Sequence, residues 1–325
     1  MTTRIIRIDE HGGPEVLKPA TMELPPPGPG EIRIRQTAIG VNYHDVYVRS
    51  GLYRTLALPG VPGIEAAGVV EALGEGVGFI ATGDRIAYVA PAYGCYAATR
   101  NLPAALAVKL PDSLDDAGAA ASFMKALTVQ VLIRRVRQLA QGETILVHAA
   151  AGGVGQLLTA WASHLGARVS ATAGSEEKAA IARAHGAGDV ILYRNEDVAR
   201  RVMEITSGKG VAAAYDAVGA DTFQGSMDAL GLLGHLVLYG QASGPVEPVS
   251  PAALAGKSLT ITRPIMFHYI RERAQLEALA AACFDAFERG IIQPIAPLEL
   301  PLEDAARAHE ILEARQSPGG IVLIP

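Results

Sequence analysis

Thr144-Ile145-Leu146-Val147-His148-Ala149-Ala150-Ala151-Gly152-Gly153-Val154-Gly155 is the stretch that decides the fold of this chain. Its first half is a continuous apolar run, the pattern of a fully buried strand. Its second half is rich in glycine, and beyond it Leu157, Leu158, Trp161 and Leu165 fall at helix spacing, which predicts a helix over 154–164. Residues 149–155 read as A-x-G-x-x-G, a dinucleotide fingerprint with Ala150 in place of the first glycine. The chemistry explains the residue types. Gly152 lets the backbone approach a pyrophosphate, and Gly155 lets the helix pack close to the sheet. Around Gly153 and Val154 the helix N-terminus offers free N–H groups and the positive end of its dipole. The competing reading is an ordinary strand-to-helix turn.

The downstream pattern favours the fingerprint. Strands are expected over 168–173, 190–193, 212–217, 235–239 and 259–262, with helices over 176–185 and 196–206 and helical stretches between 217 and 235. Strands alternating with helices of this length mean an α/β fold with a doubly wound parallel sheet. Upstream, residues 1–125 read differently. Short β segments over 5–8, 31–38, 67–73 and 85–89 are separated by PPPGPG (25–30), PGVPG (59–63) and GEGVG (74–78), a mainly β, barrel-like module. After Arg263 come an Ala-rich helix over 271–289, a helix over 302–314 and a strand over 321–324, expected to return to the first module. The expected division is therefore 1–125, 126–262 and 263–325.

Length and composition agree. A chain of 325 residues is too long for one ordinary core, and 50% hydrophobic content is enough to bury two. The net charge of −5, the lack of a Lys/Arg run and the 5% aromatic content argue against nucleic acid as a partner. Two cysteines, Cys95 and Cys283, make neither a disulfide framework nor a Cys-rich zinc site. The opening MTTRIIRIDEHGGPEV has no apolar signal core, and no apolar run reaches membrane-spanning length. A cytoplasmic protein acting on a small molecule is the expectation.

Cofactor choice is read at the end of the second strand, Thr172-Ala173-Gly174-Ser175-Glu176-Glu177-Lys178. An NAD site places Asp or Glu there for the ribose 2′-OH. Small residues occupy that position here. Ser175, as hydroxyl and helix N-cap, and Lys178, as cation, suit a 2′-phosphate instead. Glu176 and Glu177 argue the other way unless they are first-turn charges that favour the helix, and Lys178 has a surface reading as a solvated lysine.

Several further segments carry a resemblance over nearly the whole chain: His11-Gly12-Gly13-Pro14-Glu15-Val16-Leu17; Gly40-Val41-Asn42-Tyr43-His44-Asp45 and on to Arg49-Ser50-Gly51-Leu52-Tyr53; Pro62-Gly63-Ile64-Glu65-Ala66-Ala67-Gly68; Gly83-Asp84-Arg85; Tyr215-Asp216-Ala217-Val218-Gly219; and His309-Glu310-Ile311-Leu312-Glu313. With 149–155 they make the sequence resemble the quinone oxidoreductase (zeta-crystallin-like) family of zinc-independent medium-chain dehydrogenases/reductases. The resemblance implies a GroES-like, mainly β catalytic domain, a Rossmann domain, and NADPH in a cleft between them. It implies that Asn42, Tyr43, His44, Asp45 and Tyr47 line the nicotinamide end, and that Lys125 and Thr128 sit where the chain enters the cofactor domain. Gly153 and Val154 would hold the pyrophosphate. Gly174, Ser175, Lys178 and Tyr193 would surround the 2′-phosphate. Tyr239, Gly240 and Gln241 would line the cofactor, with Arg263 after the sixth strand and Arg315 reaching the phosphate region. Val131 and Val218 stand where some relatives carry polar or aromatic groups, and no role is carried to them.

The zinc enzymes of this superfamily need a Cys near residue 42, a His-Glu pair near 65 and a further ligand. This chain has Asn42 and Ile64-Glu65 there, and lacks the four-Cys lobe, so no metal is expected. Without a Lewis acid, alcohol oxidation is disfavoured. A quinone accepts hydride readily, and placing it against the nicotinamide is most of the task. Asn42, Tyr47 and Tyr53 are the candidate catalytic residues, the two tyrosines as hydrogen-bond donors to the substrate oxygen or as packing at its entrance. His44 and His148 are candidate acids, against the commoner reading of a lone histidine as structural, with His148 at a strand end; Phe123 and Met124 read as core, and Asp216 as the fixer of its turn. The resulting expectation is an NADPH:quinone oxidoreductase, a homodimer joined through the edge strand at 259–262. An NADPH-dependent reductase of activated C=C bonds shares fold and cofactor. A structural or RNA-binding crystallin-like role is the alternative from another class, disfavoured by charge and composition.

Overall fold

The computed structural model describes residues 1–317 and 319–325. They form two compact units, one of residues 1–124, 270–288 and 294–325, the other of 125–269 and 289–293. The first unit contributes β1 (Thr2–Arg7), β2 (Lys18–Glu23), β3 (Glu31–Val41), α1 (Tyr43–Ser50), β4 (Glu65–Leu73), β5 (Arg85–Val89), β6 (Thr99–Pro103) and β7 (Ala107–Lys109). The division falls within α2 (Asp116–Gln130), which widens into a π-helical segment, Val131–Val136. Next come β8 (Thr144–Val147), α3 (Gly153–His164), β9 (Arg168–Ala173), α4 (Glu176–Ala184), β10 (Asp189–Leu192), α5 (Val198–Ile205) and β11 (Val211–Asp216). The second unit continues with α6 (Phe223–Ala229), β12 (Leu230–Leu238), α7 (Ala252–Ala255), β13 (Thr260–Thr262) and α8 (Met266–Tyr269). α9 (Arg273–Glu288), β14 (Leu298–Pro301), α10 (Ala305–Glu313) and β15 (Ile321–Ile324) complete the first unit.

In the second unit six strands run in the order β10-β9-β8-β11-β12-β13, and every pairing is parallel. Chain order therefore reverses between β8 and β11, the point at which open α/β sheets bind ligands beyond their strand ends. The strands are buried apolar runs because helices cover both faces. Leu146, Ile191, Val211, Ala214 and Leu236 form the core with Val202 of α5. β12 starts earlier than the expected 235–239, at Leu230, and a register shift in its pairing with β11 interrupts it. Leu233 there has a left-handed φ of 59°, and Leu232 and Leu233 are 80% and 77% exposed.

In the first unit β14-β15-β3-β4-β5-β7 make one sheet, with β6 also on β3, and β1 and β2 form an antiparallel pair. β3 shows why: Ile32, Ile34, Gln36 and Ala38 are buried, alternating with Arg33, Arg35 and Thr37, which face outward or lie half-buried. β2, β6, β7 and β14 are absent from the expected strands. Three of them carry a proline, Pro19, Pro103 and Pro301, which the sheet tolerates only at edges and ends. The helix expected over 302–314 opens with a 3-10 turn, Leu302–Asp304, before α10.

Candidate active site

The turn after β8 is built around one strained residue. Ala149 has φ 51°, so the tight turn falls one position before Ala150, which is buried. Gly152 Nα–H donates to Ala149 O (2.8 Å), and α3 starts at Gly153 with no side-chain cap and no acidic residue in its first turn. The N–H groups of the first turn are thus presented together with the positive dipole end. A Cβ on Gly155 would lie 2.2 Å from Ala149 O and 2.7 Å from Ala150 Cα, both backbone, so no other residue fits.

Beneath this turn lies a directed chain of buried hydrogen bonds. Ser226 Oγ is 2.8 Å from Asp216 Oδ2 and 2.9 Å from His148 Nε2. A serine hydroxyl has one proton, and the carboxylate can only accept it, so His148 supplies Nε2–H to the serine oxygen. His148 Nδ1 then accepts from Thr172 Oγ1 (3.2 Å), whose oxygen accepts from Ala149 N–H (3.3 Å). Asp216 Oδ1 accepts from Val218 N–H (2.8 Å) and Gly219 N–H (3.1 Å), which fixes the turn after β11. Burial holds the His148 pKa below its ordinary value, opposed by the Asp216 charge.

At the end of β9, Ser175 caps α4: its Oγ accepts from Lys178 N–H (3.3 Å), leaving the hydroxyl proton available. A Cβ on Gly174 would lie 2.6 Å from Tyr193 Oη, so the two residues wall a niche that only glycine keeps open. Glu176 is directed to its own helix, 3.4 Å from Arg183 and 72% exposed. Tyr239 and Gly240 both donate N–H to Asp216 O, and a Cβ on Gly240 would meet Ala217 O at 2.4 Å. Lys125 is buried, Thr128 Oγ1 donates to Met266 Sδ (3.6 Å), and Arg263 donates to Leu238 O (3.2 Å). The loop through Gln241 is tied to the turn at Gly219 by Ala220 N–H to Gly244 O (3.2 Å) and Ser243 N–H to Val218 O (2.8 Å).

In the first unit the expected residues gather on and around α1. Asp45 Oδ2 accepts from Asn42 N–H (2.9 Å) and starts the helix. Asn42 Nδ2–H donates to Glu65 Oε2 (2.9 Å), and Glu65 Oε1 accepts from Met124 N–H (2.6 Å). Asn42, Asp45 and Glu65 are all buried. Arg49, also buried, holds Glu313 of α10 through two bonds of 2.8 Å. Tyr96 Oη lies 3.3 Å from Asp45 Oδ2 and 2.9 Å from His309 Nε2, repeating the one-proton arrangement of Ser226. Burial, then the Arg49 charge, pushes the His309 pKa down to about 3. Tyr43, Tyr47 and Tyr53 pack in sequence with tilted rings, centroids 5.4 Å and 4.9 Å apart, and His44 meets Tyr53 edge-on at 5.5 Å. Arg315 follows α10 at φ 59° and belongs to this unit, where its charge opposes the rise that burial and Glu313 impose on the Tyr43 pKa.

The donor set at the position of a catalytic metal is therefore an amide hydrogen-bonded to a carboxylate, beside the apolar Ile64; among the described residues no cluster of three or more His, Cys, Asp and Glu stands ready for a metal. Cys95 and Cys283 are free and buried, and burial pushes the Cys95 thiol up to about 11.

A β module followed by a dinucleotide-binding sheet is the architecture of a medium-chain dehydrogenase. The alcohol dehydrogenase GroES-like domain family matches residues 28–134, and the zinc-binding dehydrogenase family matches 153–282. A quinone oxidoreductase of Pseudomonas aeruginosa is 45% identical over 98% of this chain and 99% of its own length. The structure of the Escherichia coli quinone oxidoreductase complexed with NADPH superposes with a TM-score of 0.96 at 42% identity, over 100% of both chains. A 2-haloacrylate reductase of Burkholderia is 40% identical over 98% of both chains. The chain belongs to the quinone oxidoreductase family of the medium-chain dehydrogenases/reductases.

Sequence reasoning passed over several residues of these clusters. Ser226 and Thr172 are ordinary in sequence and gain meaning only when β8, β9 and α6 meet. Tyr96, Arg49 and Glu313 are brought together across more than 200 residues of chain. The available signals were the segments at 49–53 and 309–313, which contain Arg49, His309 and Glu313.

Proposed function

We propose that this chain is an NADPH-dependent quinone oxidoreductase that transfers two electrons as hydride to a quinone. The observation that carries the cofactor choice is the end of β9, where Gly174 and Ser175 stand in place of a carboxylate and Glu176 turns to Arg183. The residues fit the group. The N-terminus of α3, with Gly152, Gly153, Val154 and Gly155, would hold the pyrophosphate. Ser175, Lys178, the Gly174–Tyr193 niche and Arg315 would take the 2′-phosphate, and Tyr239, Gly240, Gln241, Lys125, Thr128 and Arg263 would line the remainder. When bound, NADPH supplies the hydride.

The chain's own task is orientation. Asn42 has its amide held by Glu65, which fixes the side chain in one orientation. Tyr43, His44, Asp45, Tyr47 and Tyr53 would shape the acceptor end, the tyrosines offering hydroxyl protons. A reduced quinone is a weak enough base for such donors and water to suffice. Similarity to a 2-haloacrylate reductase supports a second reading, reduction of an activated C=C bond. We place the enzyme in the cytoplasm, consistent with no helix among the described residues being long and apolar enough to cross a membrane. It would pair as a homodimer through the β13 edge.

The test is a panel of quinones and enones under NADPH and NADH, ranked by kcat/KM. Quinone reduction with NADPH preferred is expected; a preference for NADH, or no quinone turnover, would overturn the reading.

A further inference from the structure

The turn after β8 keeps a strained residue where a glycine would cost nothing. Ala149 lies in the left-handed region at φ 51°, which an alanine adopts only when its neighbours hold it there. Two bonds from β9 do so. Thr172 Oγ1 accepts from Ala149 N–H (3.3 Å), and Thr172 O accepts from Ala150 N–H (3.3 Å). The strand fixes the carbonyl, but the hydroxyl is free to rotate about its own bond. Its orientation is set by His148 Nδ1, 3.2 Å away, which takes the hydroxyl proton and leaves the oxygen facing Ala149 N–H. That nitrogen accepts only while the imidazole is neutral and Nε2 carries the proton. Ser226 imposes this state, because its own proton goes to Asp216. His148, Thr172, Asp216 and Ser226 are all buried, so bulk water does not compete for these bonds.

We propose that Thr172 and His148 are positioning residues for the pyrophosphate: the Thr172 hydroxyl holds Ala149 in its left-handed conformation, and His148 aims that hydroxyl. The proposal rests on the reading of this chain as one that binds NADPH, and it assigns the rigidity of the phosphate turn to two side chains that meet no phosphate themselves. The same carboxylate serves a second turn. Asp216 Oδ1 takes Val218 N–H and Gly219 N–H after β11, while Oδ2 anchors Ser226. One buried charge thus fixes the turns after β8 and β11, the paired strands between which chain order reverses. Losing the Thr172 hydroxyl leaves a side chain that suits a buried strand when valine replaces it, so β9 keeps its place while Ala149 loses its hold. Ligands that reach the turn with a pyrophosphate should suffer from this loss. Ligands that engage only the end of β9, at Gly174, Ser175 and Lys178, should not.

Two probes on the full chain separate these cases: NADPH carries the pyrophosphate, and adenosine 2′-monophosphate lacks it. Thr172→Val should raise the Kd of NADPH about tenfold, the effect of one lost buried hydrogen bond, and that of adenosine 2′-monophosphate by no more than about twofold. His148→Phe, which removes the acceptor, should repeat this split, and Thr172→Ser, which keeps the hydroxyl, should bind both probes as wild type does. In an Ala149→Gly background Thr172→Val should cost NADPH no more than about threefold, because glycine needs no help at φ 51°. Unchanged NADPH affinity, equal weakening of both probes, or a full tenfold loss in the glycine background would overturn the role. In the protein alone, 15N NMR should show the His148 ring, assigned by its absence in His148→Gln, as the Nε2–H tautomer; an Nδ1–H ring would overturn the aiming of the hydroxyl. If wild type binds NADH in preference to NADPH, the cofactor reading fails by itself, and the same split measured with ADP-ribose and AMP still decides whether Thr172 and His148 position the turn.

Discussion

Acid should loosen the first unit through a single imidazole. His309 is buried on α10 with its pKa pushed down to about 3, against an ordinary value of about 6.5. The native state therefore keeps His309 neutral at pH values where the unfolded chain protonates it. Stability from this group is full above the unfolded value and is lost as pH falls from about 6.5 toward the native value near 3. At pH 4.5 the loss is about 2.7 kcal/mol, two units below the unfolded pKa at about 1.36 kcal/mol each. That is a large part of a typical total of about 5–15 kcal/mol. The variant is His309→Gln, whose amide can donate to Tyr96 Oη without titrating. Urea unfolding at pH 7.5 and 4.5 is followed by tyrosine near-UV circular dichroism, to which six tyrosines of the first unit and four of the second contribute, and by Trp161 fluorescence, which follows the second unit alone and is subtracted as its reference. Wild type should lose about 2.7 kcal/mol more than the variant between the two pH values. Equal losses would refute the assignment of His309 as a neutral buried group.

Three further outcomes are expected. Gly155→Ala forces a Cβ to 2.2 Å from a backbone oxygen; it should cost roughly 1–3 kcal/mol of stability, read as a lower Tm, and abolish saturable NADPH binding by fluorescence titration. Lys178→Ala and Arg315→Ala should each weaken NADPH about ten- to a hundred-fold and leave the Kd of NADH nearly unchanged, since a charge-assisted hydrogen bond contributes about 1.5–3 kcal/mol. Equal weakening of both nucleotides would show that neither residue meets the 2′-phosphate. Prolonged treatment with a strong chelator, followed by elemental analysis, should leave kcat with a quinone unchanged, because Asn42 and Glu65 satisfy each other where a metal would need ligands; activity lost with stoichiometric zinc would contradict this.

The sheet of the second unit was legible because its strands are buried on both faces and so read as apolar runs. The strand at 168–173 was located to the residue, and the fingerprint placed the α3 N-terminus within one residue. The conformation of the turn was not legible: no rule of composition says that Ala149 takes the left-handed conformation. The first unit was harder. Short edge strands carrying Pro19, Pro103 or Pro301 lack the alternation that announces a strand. Asn42 was singled out because a family resemblance marked it, and Gly174 because it stands at the end of the second strand, where an NAD site places an acid. Thr172, Tyr96 and Ser226 were not, because their roles depend on which elements meet, and a hydroxyl is silent in sequence until its partners are known.

Each unit solves the same problem in the same way. A histidine is buried under a segment expected to meet cofactor or substrate, His148 under the phosphate turn and His309 behind α1. A hydroxyl, from Ser226 or Tyr96, stands between that imidazole and a buried carboxylate, Asp216 or Asp45. Because the hydroxyl has one proton and the carboxylate can only accept, each imidazole is fixed as the Nε2–H tautomer. The polarity then propagates outward: Asp216 is left with a second oxygen for Val218 N–H and Gly219 N–H, and Asp45 with an acceptor for Asn42 N–H at the start of α1. Protonating either imidazole puts a second charge into a site already balanced by burial, so acid acts first on the segments these chains support. The expectation follows that α1 keeps its order in the folded chain well below pH 6.5 and loses it only as the pH nears 3, where His309 protonates; amide hydrogen exchange in α1 against pH checks this.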